Sequence, residues 1–383
     1  MHYSLNPLHK KTGLQSLNWL LVLIVIYLLI CAIALLSSNF KAESTSYAAD
    51  LFHFANNPFS GLVIGIIATA SVQSSSTVTS IIVGLVAGGL PIDIAIPIVM
   101  GANVGTSITN TMVALGHIQA REKFRRAFAA ATLHDFFNLL SVIIFLPLEI
   151  AFGLLENISR WITSWFYNIG NLSLQELNII KVITNPTVEL IQYSTSYLGE
   201  FDNIAAIIIG TTLLFLTINS MSKLLKVLLI GKAKNIIHTA LGHSPMTGIA
   251  SGTLITAMVQ SSSTTTSLLI PLASSGTFKL KEIYPFTLGA NIGTCITAVL
   301  SATAVVGNAY AALQIALIHL LYNILGVLVI YGVPVLRKLP LKMAERFGEI
   351  AEENKFIALI YISGIFFLLP ILLLSLNNVF FGQ

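Results

Sequence analysis

Long apolar runs separated by short polar stretches dominate the hydrophobic pattern of this chain. Seven of the runs are long enough to cross the hydrocarbon core of a bilayer as a helix, which needs about 20 residues. Their approximate bounds are 18–37, 91–115, 127–153, 203–221, 283–305, 309–334 and 356–377. The pattern therefore predicts an all-α integral membrane protein.

Two more apolar regions, 59–90 and 245–277, carry a polar interruption at their centres. The first contains TASVQSSSTVTS and the second TAMVQSSSTTTS; we call Gln73–Thr77 and Gln260–Thr264 the first and second QSSS segments. Hydrocarbon penalises polar groups that lack a partner, so these segments indicate a specific role. We predict that each region is a re-entrant helical hairpin, with two full crossings per region as the alternative.

The composition agrees with a membrane location, because only 9% of the residues are charged, whereas soluble domains carry about 25%. The net charge of +4 comes from short basic clusters between apolar runs, so it does not indicate nucleic-acid binding. With a cytoplasmic N-terminus, all of the 20 Lys and Arg residues except Lys41, Arg160 and Lys181 fall on the cytoplasmic side, as the positive-inside rule requires. If each QSSS region instead crossed the membrane twice, the same Lys and Arg residues would lie on the cytoplasmic side, so the charge distribution does not distinguish the two alternatives.

Three motifs recur in the same order, which indicates a duplicated unit. The QSSS segments lie 187 residues apart, GANVGTSIT and GANIGTCIT 188, and HDFFN and HLLYN 185. Three predicted crossings separate each motif from its copy, and an odd number gives the copies opposite orientations. Inverted repeats of this kind occur in secondary transporters, whose sites lie at the repeat interface near the bilayer midplane.

The residue types in these motifs suit a small anion together with small cations. Hydroxyls and amides donate and accept hydrogen bonds, and helix ends at a hairpin tip leave N–H groups for an anion and carbonyls for Na⁺. Paired glycines in the GAN motifs allow a helix to break, so we predict one broken helix in each half. Neither QSSS segment contains Lys or Arg, so bound Na⁺ would supply the charge that a buried anion needs. Each ligand would then raise the affinity of the other.

Asp135 is the one acidic residue that we place away from the ends of a predicted span, and its counterpart in the second half is Leu320. An ionisable residue inside a membrane is a functional candidate. We predict that Asp135 completes an additional Na⁺ site and makes transport electrogenic. A structural pairing of Asp135 with a nearby His, Asn or Arg is the alternative.

The paired QSSS segments, the paired GAN motifs and FRRAFAAATLHDFFN (124–138) resemble the type II sodium/phosphate cotransporters, and in length the chain is most similar to bacterial NptA-type members. The resemblance covers roughly residues 59–145 and 245–330. It implies Na⁺-driven uptake of inorganic phosphate by alternating access, with both ligands bound at the QSSS segments. An aspartate in the HDxFN motif distinguishes the electrogenic mammalian members, so Asp135 implies the electrogenic class.

The resemblance and the local chemistry together give the candidate site residues. The candidate phosphate ligands begin each QSSS segment: Gln73, Ser74, Ser75, Gln260, Ser261 and Ser262. The candidate Na⁺ ligands are Ser76, Thr77, Asn103, Thr106, Asp135, Ser263, Thr264, Asn291 and Thr294. Close helix packing through small residues is the alternative for the GAN motifs. No transition metal, organic cofactor or catalytic residue is predicted.

These observations divide the chain into a first inverted repeat (1–165, hairpin 59–90), an extracytoplasmic linker (166–202), a second inverted repeat (203–335, hairpin 245–277) and a cytoplasmic charged segment with the final transmembrane helix (336–383). We expect a transporter in the plasma (inner) membrane with phosphate, Na⁺ and the lipid bilayer as partners; a homodimer stays open. The alternatives are a Na⁺-coupled transporter of another small oxyanion and an anion channel. An intramembrane serine enzyme is disfavoured, since no Ser-Lys pair or Gly-x-Ser-x-Gly sequence lies near the QSSS segments.

Overall fold

The computed structural model describes residues 7–43, 57–169, 179–241, 243–305, 307–372 and 375. Within these ranges the chain is helical and contains no β-strand. Seven helical stretches there are long and apolar enough to cross a membrane, and each coincides with a predicted span. They run Ser16–Phe40, Ile92–Leu115, Arg121–Phe152, Gly199–Leu229, Leu280–Thr303, Ala309–Tyr331 and Lys355–Leu372. The prediction of an all-α, multi-pass membrane protein is confirmed.

The described helices follow one another along the chain in this order. Those before residue 200 are α1 (Pro7–Glu43), α2 (Pro58–Val72), α3 (Ser75–Gly88), α4 (Ile92–Gly105), α5 (Ile108–Leu115), α6 (Arg121–Phe152), α7 (Leu154–Ile169) and α8 (Ile179–Ser196). After a 3₁₀ turn come α9 (Asp202–Ala240), α10 (Pro245–Val259), α11 (Ser262–Ser267), α12 (Leu269–Ser274), α13 (Leu280–Thr303), α14 (Ala309–Gly326), α15 (Pro334–Glu353) and α16 (Lys355–Ser363). Single π-helical turns extend α14 and α16.

The two QSSS regions have arms that are short for membrane crossings. The α2 helix has 15 residues and α3 has 14, and at a rise of about 1.5 Å per residue each arm is roughly 22 Å long. The hydrocarbon core is about 30 Å thick. The second region is similar, with 15 residues in α10 followed by the short helices α11 and α12. These lengths favour a re-entrant hairpin over two full crossings.

Glycines let the first arm of each hairpin pack directly on the backbone of the GAN helix. A Cβ atom at Gly65 in α2 would collide with the carbonyl oxygen of Ile98 in α4. In the second half, a Cβ atom at Gly252 in α10 would likewise collide with the carbonyl oxygen of Phe286 in α13. The duplicated sequence therefore builds the same close helix pair twice.

The prediction of a broken GAN helix holds for the first half but not for the second. Between α4 and α5, the carbonyl of Asn103 accepts from the Thr106 N–H (3.3 Å) and from the side-chain amide of Asn138 (2.8 Å), which interrupts the regular helical ladder. In the second half α13 runs without a break from Leu280 to Thr303. There the amide of Asn323 donates to the carbonyl of His319 instead (2.9 Å), so the backbone of α13 keeps its own bonds.

The two halves interlock rather than form separate bodies. The α1 helix packs along α9, and α3 contacts α13 and α14. The α15 helix, which follows the second half, packs along α6. The end of the first hairpin lies beside the α13–α14 connection, where the Asn308 N–H donates to the Ala87 carbonyl (3.0 Å). The end of the second hairpin lies beside the α5–α6 connection, where Ser274 Oγ is 3.1 Å from His117 Nδ1.

The predicted linker contains helical structure packed on α1. All of α8 falls in it, and Tyr27 Oη lies 2.6 Å from Thr187 Oγ1 while Gln192 Nε2 donates to Asn39 Oδ1 (3.2 Å). Residues 170–178 of this linker lie outside the described residues. The same holds for residues 376–383 and for residues 1–6, on which the prediction of a cytoplasmic N-terminus depends. The division into four units stays a prediction.

Candidate functional site

Each QSSS segment begins with a glutamine in a left-handed backbone conformation. Gln73 and Gln260 have φ values of 56° and 55°, and they are the only described residues other than glycine with positive φ. Each ends the first hairpin arm, and its N–H donates to the carbonyl of Thr69 or Thr256 at 2.7 Å. Residues that hold this conformation cluster at functional sites because the surrounding structure must enforce it. The duplicated sequence thus makes the same unusual turn twice.

The second arms start with a serine cap. The Ser74 hydroxyl accepts from the Thr77 N–H at 3.2 Å, and Ser261 accepts from Thr264 at the same distance. The side-chain hydroxyls of each pair also approach one another, at 2.8 and 3.1 Å. The start of α3 therefore combines free backbone N–H groups with several hydroxyls, an arrangement that favours an anion.

Burial differs along the two segments. The buried candidates are Ser75, Ser76, Thr77, Gln260 and Ser262. The half-buried ones are Ser74, Ser261, Ser263 and Thr264, and Gln73 is exposed. No Lys or Arg is among the buried residues of the described chain, so a phosphate at these segments would meet hydrogen-bond donors without a buried protein cation.

The two glutamine side chains are in different states. Gln260 Oε1 accepts from the Thr297 hydroxyl on α13 at 2.7 Å, and Gln260 Nε2 donates to the Ala257 carbonyl. Gln73 makes only a weak contact to the sulfur of Met112 at 3.7 Å. The hydroxyl of Thr109, the counterpart of Thr297, is buried without a hydrogen-bond partner. The second QSSS segment is therefore closed onto its GAN helix, and the first is open.

A continuous chain of buried hydrogen bonds connects the halves. Thr266 in α11 donates to Asn110 Oδ1 in α5 at 3.0 Å. Asn110 Nδ2 lies 3.5 Å from His134 Nδ1, and His134 Nε2 bonds to Asn291 Oδ1. If Asn110 donates, His134 is a neutral imidazole that donates from Nε2 to Asn291. The second hairpin thereby contacts the GAN helices of both halves through one histidine.

This chain continues to the first GAN motif. Asn291 Nδ2 donates to Asn138 Oδ1 at 2.7 Å, and Asn138 donates in turn to the Asn103 carbonyl. Asn323 Nδ2 lies 3.4 Å from Asn103 Oδ1. The four asparagines of the GAN and HxxN motifs meet at one buried point. The second histidine is different, since both ring nitrogens of His319 are buried without a partner.

The Na⁺ candidates of the GAN motifs are all buried in this region. Thr106 and Thr294 donate their hydroxyl hydrogens to the carbonyls four residues earlier, at 2.9 and 3.0 Å. A hydroxyl that donates in this way keeps oxygen lone pairs for a cation. The side-chain carbonyl of Asn291 already accepts from His134. The threonine oxygens are therefore better placed for Na⁺ than the Asn291 oxygen, and the whole set stays a prediction.

Asp135 is 1% exposed and is the only acidic or basic residue, histidine aside, among the buried residues of the described chain. Its Oδ2 accepts from the hydroxyl of Tyr361 at 2.9 Å. Its Oδ1 is buried without a hydrogen-bond partner. An ionised oxygen without a donor inside a membrane protein is costly unless a cation compensates it. This geometry fits the prediction that Asp135 binds Na⁺, which stays a prediction.

Comparison with known proteins identifies the family. The model of the Na⁺/Pi-cotransporter family matches residues 28–163 and 213–338. The chain belongs to the Na⁺/Pi-cotransporter family. Sodium-dependent phosphate transport protein 2A of Ovis aries is 34% identical over 96% of this chain and 69% of its own length. Sodium-dependent phosphate transport protein 2B of Homo sapiens is 34% identical over 95% of this chain and 66% of its own length. No solved structure gives a significant match.

The two segments matched by the Na⁺/Pi-cotransporter model each contain one QSSS segment, one GAN motif and one HxxN motif. The resemblance found in the motifs is thereby confirmed. Between the matched segments lie α8 and the start of α9, and after them come most of α15 and all of α16.

Sequence reasoning missed several residues of this site. Asn138 and Asn323 were visible as the last positions of the repeated HxxN motif, so their repetition was a signal. Thr297 was likewise visible as the last position of the repeated GANIGTCIT motif. Asn110 and Tyr361 were not signalled, because each has its role through a contact with another part of the fold.

Proposed function

We propose that the protein is a Na⁺-coupled symporter of inorganic phosphate. Its family is that of the Na⁺/Pi-cotransporters, and its relatives are named as sodium-dependent phosphate transport proteins. The observation that supports this most directly is the pair of QSSS turns, which are rich in donors and have no buried Lys or Arg near them. A phosphate held there needs cations, and Na⁺ bound at hydroxyl and carboxylate oxygens supplies them.

In this proposal the two glutamine states belong to an alternating-access cycle. The second QSSS segment is closed by the bond between Gln260 and Thr297, whereas Gln73 is exposed. If the first QSSS segment closed while the second opened, the site would face one side of the membrane and then the other. The role is transport rather than catalysis, with Na⁺ as the coupling ion.

The proposal also specifies the membrane in which the protein lies and the net charge that each transport cycle moves. We place the protein in the plasma (inner) membrane with its N-terminus in the cytoplasm, supported by the distribution of Lys and Arg. One Na⁺ at Asp135 beyond those that balance phosphate makes the cycle electrogenic. Each net charge that crosses at 100 mV contributes about 2.3 kcal/mol.

The test is uptake of labelled phosphate into proteoliposomes that contain the purified protein. An inward Na⁺ gradient should give concentrative uptake, and replacement of Na⁺ by K⁺ should abolish it. Making the inside negative should accelerate uptake, because net positive charge enters. If the membrane potential has no effect on uptake, the proposal that transport is electrogenic is wrong, whereas the proposal of Na⁺-coupled symport still holds.

Two results would contradict the proposal itself. Uptake that only equilibrates, with or without Na⁺, would indicate an anion channel. Unlabelled arsenate or sulfate that displaces labelled phosphate more strongly than phosphate does would assign another oxyanion as the substrate.

A further inference from the structure

The partner of Asp135 comes from a part of the chain that lies outside the duplicated unit. Tyr361 belongs to α16, the final described helix, and the segments matched by the family model end at residue 338. Its hydroxyl reaches Asp135 Oδ2 at 2.9 Å, across 226 positions of sequence. Tyr361 lies in none of the three repeated motifs, so the duplication seen in the sequence does not predict this contact.

Aromatic packing fixes the tyrosine ring. The ring centroid of Tyr361 lies 4.6 Å from that of Phe347 in α15 and 6.3 Å from that of Phe128 in α6. Phe366 in the following π-helical turn adds an edge contact at 6.3 Å. Phe136 in α6 is a fourth aromatic neighbour, at 6.4 Å. A ring held by four aromatic neighbours presents its hydroxyl in a defined direction.

The other carboxylate oxygen is left open. Ser107, at the break between α4 and α5, lies close enough to interact with Asp135. Its hydroxyl donates to the Val104 carbonyl at 3.0 Å, however, and Asp135 Oδ1 accepts no hydrogen bond. One carboxylate oxygen is thus held by the Tyr361 hydroxyl and the other has no hydrogen-bond partner, while the carboxylate as a whole lies near Ser107 at the break between α4 and α5.

We propose that Tyr361 is a positioning residue for Na⁺: its hydroxyl holds Asp135 Oδ2 so that Oδ1 can bind the ion. The coupling of this ion to phosphate rests on the function proposed above, whereas the binding of Na⁺ does not. The final helix therefore contributes to ion binding although it lies outside both repeats.

Tyr361→Phe tests this proposal because it removes the hydroxyl and keeps the ring. Tyr284→Phe is the control, since Tyr284 also packs against aromatic rings but its hydroxyl has no hydrogen-bond partner. We would measure the Na⁺ dependence of the thermal unfolding of the purified full-length protein without phosphate, with choline as the replacement cation.

The half-saturating Na⁺ concentration should rise about three- to tenfold in Tyr361→Phe, because a hydrogen bond to a charged group is lost. It should change less than about twofold in Tyr284→Phe. In an Asp135→Asn background, Tyr361→Phe should have no further effect on the Na⁺ response, because the residues act as a unit. Tyr361→His keeps a hydrogen-bond donor and should therefore retain more Na⁺ affinity than Tyr361→Phe. It replaces Tyr361→Phe as the test variant if Tyr361→Phe does not fold.

Transport separates this inference from the proposed function. At saturating Na⁺, the phosphate concentration for half-maximal uptake should stay within about twofold of wild type in Tyr361→Phe, as expected for an effect confined to the ion. A Na⁺ response of Tyr361→Phe equal to that of Tyr284→Phe would overturn the inference, as would a wild-type protein that Na⁺ does not stabilise. A wild-type protein that binds Na⁺ but does not transport phosphate would overturn the proposed function alone.

Discussion

Gln73 and Gln260 occupy equivalent turns, yet only one of them holds its segment in place. The Gln260 side chain joins α10 to α13 through Thr297 and is 7% exposed, whereas Gln73 lies exposed at the protein surface. We expect Gln260→Ala to lower the free energy of unfolding by about 1–3 kcal/mol, because the buried Thr297 hydroxyl loses its acceptor. Gln73→Ala should leave stability nearly unchanged. Thermal unfolding of both variants in detergent measures this difference.

The same two variants test the site. Both should lose phosphate uptake, because each removes a candidate ligand from one QSSS segment. Equal unfolding temperatures would contradict the asymmetry between the turns. Normal uptake in both variants would show that neither glutamine binds substrate, whatever their effects on stability.

Helix packing around the site depends on glycines that have no room for a side chain. Gly65 in α2 and Gly252 in α10 lie against carbonyl oxygens of the neighbouring GAN helix. We expect Gly65→Ala or Gly252→Ala to cost about 1–3 kcal/mol or more, since the helices must move apart. Gly364→Ala is the control, because a Cβ there would meet nothing within 4 Å. The yield and unfolding temperature of purified protein measure the effect, and no loss relative to Gly364→Ala would contradict the close packing.

The elements that sequence predicted best are those with the strongest pattern. Seven apolar runs became seven membrane-length helices in the described chain, because their length and apolar composition leave few alternatives. The paired motifs also located the two turns. The unequal GAN helices could not be predicted, since GANVGTSIT and GANIGTCIT are nearly identical. Their difference arises from the side-chain amides of Asn138 and Asn323, which bond to different atoms.

For the whole molecule, the central question is whether the two halves have opposite orientations. The first hairpin ends beside the α13–α14 connection, through Ala87 and Asn308. The second ends beside the α5–α6 connection, through Ser274 and His117. These two places are separated along the chain by Ile92–Leu115, which is long enough to cross the membrane once. We therefore expect the two hairpins to open from opposite faces.

Single cysteines at the two hairpin ends test this arrangement. Asp93 and Thr277 are exposed, while the native Cys31 and Cys295 are buried, so the unsubstituted protein should label little and serves as the control. A membrane-impermeant maleimide should label Asp93→Cys in intact cells and Thr277→Cys only after permeabilisation. If instead Thr277→Cys is labelled in intact cells and Asp93→Cys only after permeabilisation, the two halves still have opposite orientations but the N-terminus lies outside the cell. Labelling of both cysteines from one face would contradict opposite orientations, because a single crossing by Ile92–Leu115 would then be impossible.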